Sequence, residues 1–295
     1  MKPEKTSSQR FKNLLLYFVF AYAISWTIGI PLALAKQGVI QPLFPAWFHY
    51  LVGYGPMISA LIVTRLTEGK QGLNLLWKRI IHWRVGGVWW LSAFSPLILG
   101  VVAAWVMNLL TPNKISISEL GVVNFLPPLG LGALFLWVMT FGVGEEIGWR
   151  GYALPRLQKD RSALAATLIL FFFWALWHLP QFFYVFDPTI AIGWAIGLFA
   201  GAIVFTWLLN SVQGSILIVA VFHGCFNYIS ASSAGNGLLA AVVSTVVMVW
   251  AIAVVFLYKS QTLSSKGKFV VEGIVQHPID EQTAKQYEEP TDAAV

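Results

Sequence analysis

Eight apolar stretches, each near the length that crosses a bilayer as a helix, leave this chain few folds to choose from. A helix needs about 20 residues to span the ~30 Å of hydrocarbon in a membrane. The stretches run near 13–35, 47–66, 87–110, 126–149, 162–185, 190–209, 214–231 and 237–258. Backbone N–H and C=O groups find no water in hydrocarbon, so such segments satisfy one another's polar groups internally as helices. Only 11% of the 295 residues are charged, against roughly 25% in soluble domains. The predicted fold class is all-α: a polytopic membrane protein of about eight transmembrane helices with an amphipathic interfacial helix.

The basic residues set an orientation. Lys2, Lys5, Arg10 and Lys12 precede the first stretch; Arg65, Lys70, Lys78, Arg79 and Arg84 follow the second; Arg150, Arg156, Lys159 and Arg161 follow the fourth; Lys259, Lys266 and Lys268 follow the eighth. These are alternate connections, and the positive-inside rule places both termini in the cytoplasm. The net charge of +6 is spread over these short loops and forms no continuous basic stripe, which argues against a nucleic-acid partner. Residues 69–84, with Leu73, Leu76, Trp77, Ile80 and Ile81 beside Lys78, Arg79 and Arg84, read as a helix on the membrane surface. The first stretch and Ala33-Leu34-Ala35 resemble a signal peptide, but the apolar run exceeds the usual ~7–15 residues and is read as a membrane helix. The chain divides into a bundle over 1–259 and a polar tail over 260–295 that is expected to be disordered and cytoplasmic. The one cysteine, Cys225, excludes an intrachain disulfide framework.

Charge interrupts this pattern at Gly144-Glu145-Glu146-Ile147-Gly148-Trp149-Arg150. An ionisable group inside a membrane segment costs at least ~2.5–3.5 kcal/mol on insertion scales, and persists where it binds, relays or catalyses. Glu146 and Arg150 are four apart with the acid first, the favourable order for a helical ion pair. Glu145 is turned about 100° from Glu146 around the helix, free to face the bundle interior as a candidate general base. In the fifth stretch, Pro180 follows His178 by two residues and predicts a kink beside the imidazole. In the seventh, His223 and Asn227 share a helix face and can donate to a common point, such as an oxyanion.

Each feature also has a structural reading. A lone intramembrane histidine is often an interhelical hydrogen bond, and a Glu–Arg pair near the interface is often a snorkelling pair, which leaves Glu145 unexplained. His49, His82 and His277 read as incidental, and Asp187 and Asn210 as loop residues at membrane edges. The aromatic run Phe171-Phe172-Phe173-Trp174, with Trp177, reads as lipid contact and core packing.

The ordered set E-E-x-x-x-R, aromatic-x-x-x-His and His-x-x-x-Asn, each in its own membrane segment, resembles the CPBP family, which includes CAAX prenyl endopeptidases and bacterial bacteriocin-processing and self-immunity proteins of the Abi type. The resemblance covers about Leu131 to Ile229. Gly55-Pro56 and Trp83-Arg84-Val85 are similar to bacterial members, which implies a bacterial plasma membrane. The resemblance implies catalytic roles for Glu145, Glu146, His178, His223 and Asn227, with Arg150 and Trp174 supporting and 131–229 as the catalytic core. Trp174 stands where the family pattern has Phe. The implied activity is intramembrane endopeptidase action on a membrane-associated peptide or protein, lipidated or not, with no required cofactor. Glu145 and His178 would activate water, and His223 and Asn227 would hold the oxyanion.

Two rivals keep the same residues. Glu145, His178 and His223 can be drawn as a zinc site with an open position for water, or the protein can be a non-catalytic immunity or transport protein. One geometric tension accompanies the hydrolase reading. Simple helix centres put Glu145 and His178 about 10 Å apart in depth.

Overall fold

The computed structural model describes residues 7–112, 114–122, 129–232 and 234–271. Lys2, Lys5, His277, the start of the fourth stretch at 126–128 and the tail beyond 271 lie outside them.

The main helices follow the apolar stretches in order: α1 Ser7–Lys36, α2 Gly55–Ile80, α3 Gly87–Leu110, α4 over 131–157, α5 Ala163–Trp177, α6 Ala191–Ser211, α7 Ile216–Ser230 and α8 Leu238–Thr262. Six helical runs among the described residues are long and apolar enough to cross a membrane. The other two, α4 and α7, are those that carry Glu145 and His223. At 15 residues, α7 reaches only about 22 Å. Helix α4 switches repeatedly between α and π geometry, with π turns at Val138–Val143 and Ile147–Ala153.

Local chemistry sets several boundaries. The Ser162 side chain accepts from the Ala165 N–H at 3.2 Å and caps α5, satisfying a donor that the first helical turn leaves free. Pro180 ends α5 rather than merely bending it. The α-helix stops at Trp177, His178 becomes its C-cap, and the chain tightens into a 3-10 turn over Leu179–Phe183. The amphipathic segment expected over 69–84 continues α2 across a sharp turn at Gly69, whose φ of 65° is the left-handed region that glycine tolerates. Leu76 is buried there and Leu73 and Ile80 are half-buried, while Trp77 and Ile81 are exposed.

Helix α1 packs on α2, α7 lies against α3 and the first π turn of α4, and α8 covers α6. Both outer helices α3 and α8 turn large apolar side chains outward, among them Trp105, Leu109, Ile252 and Phe256. By contrast, every residue from Gly144 to Gln158 is buried, the charged Glu145, Glu146, Arg150 and Arg156 included. Close backbone contact makes this possible. A side chain on Gly142 would collide with the Ala220 carbonyl, and one on Gly148 would meet Pro56 at 2.5 Å.

Residues 260–271, assigned by sequence to the polar tail, dock on the bundle. The Phe269 N–H donates to Asn210 Oδ1 at 3.0 Å, its carbonyl accepts from Gln158 Nε2 at 2.9 Å, and Arg79 lies 4.6 Å over its ring. Asn210, expected as a loop residue at a membrane edge, is fully buried and also bonds to the Gln158 side chain and the Thr262 carbonyl. One lysine that suggested a solvated tail is spent on the bundle: Lys268 Nζ donates to the carbonyls of Gln158 and Arg161.

Candidate active site

Glu146 and Arg150 form the ion pair that their spacing predicts, with 2.9 Å between Oε1 and Nη1 and both side chains fully buried. The Arg150 guanidinium lies between two rings, 4.1 Å from the centre of Trp174 and 4.5 Å from that of Phe205. Its Nε and Nη2 have no hydrogen-bond partner among the described residues; the aromatic faces take the place of acceptors, an interaction worth about 2 kcal/mol when desolvated.

Glu145 leaves the helix in another direction, as its offset requires. Its Oε2 accepts from Trp174 Nε1 at 2.7 Å and from Trp149 Nε1 at 3.3 Å. Its Oε1 takes no hydrogen bond from the described residues. Two carboxylates, one guanidinium and one imidazole are thus packed together, and the carboxylates do not share a partner among the hydrogen bonds.

The histidines sit on either side of Trp174, with ring centres 5.7 Å (His178) and 5.8 Å (His223) from the indole. His178 Nδ1 donates to the Trp174 carbonyl at 2.7 Å, which leaves Nε2 as the acceptor nitrogen of a neutral ring. His223 Nδ1 meets Glu146 Oε1 at 2.8 Å, so the histidine expected to face Glu145 is bound to its neighbour. One turn further along α7, Asn227 is half-buried and its carboxamide has no hydrogen-bond partner among the described residues.

The depth mismatch between Glu145 and His178 disappears. Helix α4 runs on past Arg150 to Leu157, so Glu145 lies twelve residues from its end, while Trp174 lies eleven from the start of α5 at Ala163. At 1.5 Å per residue both are about 17 Å from the same connection. Trp174 then touches Glu145 with its indole and holds His178 with its carbonyl.

Three neighbours escaped the sequence reading. Trp149 is four residues from Glu145, a spacing that places both on one face and so was legible. Phe205, under Arg150, required the packing of α6. His49, read as incidental, is 5% exposed and its Nδ1 lies 3.0 Å from the Tyr184 hydroxyl. It ties the segment before α2 to the turn that follows His178.

No group of three His, Cys, Asp or Glu side chains among the described residues could hold a metal ion. The Nδ1 atoms of His178 and His223 are turned to a backbone carbonyl and to Glu146, and these bonds leave the Nε2 atom of each ring unengaged.

Residues 126–229 match the family model described as Type II CAAX prenyl endopeptidase Rce1-like. Through this segment the chain is similar to the Rce1-like family. The protein named CAAX prenyl protease 2 from Methanococcus maripaludis is 33% identical to it over 113 residues, 35% of this chain and 40% of that relative. The chain therefore spans about two fifths of the length of the curated relative it matches. The matched segment runs from α4 into the last turn of α7 and contains Glu145, Glu146, Arg150, Trp174, His178, His223 and Asn227. Together with the six apolar spans it marks the chain as an integral membrane protein.

Proposed function

We propose that the chain is an intramembrane endopeptidase of CAAX type that hydrolyses a peptide bond of a membrane-associated substrate with water activated by Glu145. The observation that carries this reading is the unshared oxygen of Glu145, held beside two histidines whose Nδ1 atoms are already committed. Water placed at Glu145 Oε1 loses a proton to the carboxylate as its oxygen attacks the scissile carbonyl carbon. The acceptor Nε2 of His178 orients that water. As the carbonyl oxygen gains charge it accepts from Asn227 and from His223; one such donor is worth about 2.7–4 kcal/mol elsewhere. Collapse of the intermediate breaks the C–N bond, and the proton on Glu145 passes to the leaving amine. Glu146 and Arg150 keep α4 and α7 in register.

On the alternate basic loops, both termini face the cytoplasm, and the site is reached from that leaflet. The relative's name supports a peptide ending in a CAAX sequence as substrate class. No step requires a metal.

The test compares membrane peptides from cells carrying the native chain with those from cells carrying Glu145→Gln, which keeps the shape of the side chain and cannot take the proton. Substrate should accumulate uncleaved in the variant; identical cleavage in both refutes the assignment of the base. The purified native protein should keep its activity in a strong chelator. Stoichiometric zinc, with activity lost on its removal, would restore the metal site.

A further inference from the structure

We propose that Trp149 and Trp174 form a two-indole clamp that positions Glu145, turning one carboxylate oxygen away and presenting the other. The proposal rests on the reading of Glu145 as the base. Both indole N–H groups converge on Oε2, at 3.3 and 2.7 Å, and none from the described residues reaches Oε1. A carboxylate pinned in this way cannot rotate about its last bond without breaking two hydrogen bonds to a charged group, the stronger kind.

The donors come from different helices. Trp149 lies one turn along α4 from Glu145, and Trp174 belongs to α5, so the clamp also fixes the distance between the helices that carry Glu145 and His178. Neither indole is free to swing. Trp149 is fully buried against Tyr17, Phe18 and Trp177. Trp174 is 3% exposed, lies against the Arg150 guanidinium and accepts from His178. Indole N–H is a donor only, so neither residue competes with Glu145 for a proton.

Position 174 is where this chain departs from the Phe of the family pattern, and Phe has no donor to offer. The substitution therefore adds the shorter of the two bonds to Glu145. Trp174 acts as a positioning residue rather than a pocket wall, and Trp149, in the unspecified part of E-E-x-x-x-R, is its partner.

Trp149→Phe, Trp174→Phe and the double variant keep an aromatic ring and remove the N–H. They are tested in the full-length protein, on a synthetic copy of the membrane peptide that accumulates most in Glu145→Gln cells. Each single variant should lower kcat about ten-fold and the double variant further, with KM unchanged. In protein labelled with ¹⁵N at the indoles, the Nε1–H resonances of Trp149 and Trp174 should move in Glu145→Gln. Unmoved resonances overturn the clamp, as does wild-type kcat in the double variant. So does a loss of activity that a lower melting temperature explains, with kcat per folded molecule unchanged. An active Glu145→Gln, or no accumulating peptide, refutes the base itself; an inactive Glu145→Gln beside a fully active double variant refutes the clamp alone.

Discussion

Helix α3 turns Val102, Trp105 and Leu109 outward at 50, 63 and 65% exposure, while fifteen consecutive residues of α4, Gly144 to Gln158, are all buried. The outer helix is one regular run from Gly87 to Leu110; the inner one changes between α and π geometry four times along its length. A helix that meets lipid on one side keeps its repeat, because nothing on that side forces a change. A helix enclosed by protein on every side is shaped by its neighbours, and π turns gather at functional sites for that reason. The charged cluster lies in the enclosed helix, where the surrounding side chains supply partners that lipid cannot.

Four variants test how far this contrast reaches into stability. The largest effect is expected at the ion pair. Glu146→Ala leaves Arg150 buried without its carboxylate, a loss of about 3–5 kcal/mol, readable by denaturant or thermal unfolding in detergent. Trp105→Ala on α3 should stay within about 0.5 kcal/mol. Similar losses at the two sites would erase the distinction between the helices. A smaller effect is expected at Gly148→Ala, whose new Cβ meets Pro56 and the Tyr17 hydroxyl at 2.5 Å. Overpacking of this kind costs about 1–3 kcal/mol, and a native melting temperature would show that α1 and α2 yield more easily than their packing implies. An effect of opposite sign is expected for Gly197→Ala in α6, where an added Cβ meets nothing within 4 Å. It should stabilise by up to about 1 kcal/mol; destabilisation would mean that α6 needs the freedom of its glycine.

What could be read in advance follows the range of the forces involved. The eight stretches were legible because spanning hydrocarbon is a matter of length and apolarity within one segment. The Glu146–Arg150 pair and the divergence of Glu145 were legible because both depend on spacing along one helix. The π turns of α4 were hidden, since a segment buried on all sides carries no stripe whose period could betray an extra residue per turn. The bond from His223 to Glu146 rather than Glu145 depends on how α7 meets α4, which no local pattern encodes. Asn210 was misread for a related reason: a polar residue at the end of an apolar stretch looks like a loop residue until a partner 59 positions away takes up its hydrogen bond.

The docking of Phe269 matters for handling this protein. A reporter or affinity tag joined directly after Thr262, at the end of α8, would replace the stack on Arg79 and both backbone bonds of Phe269 with linker. Arg79 also donates to the Gly151 and Gly214 carbonyls at 2.7 and 3.1 Å, so the disturbance would reach the second π turn of α4, a few residues from Glu146. A tag placed after Val271 leaves these contacts whole. The working end of the membrane domain is therefore nine residues past its last helix.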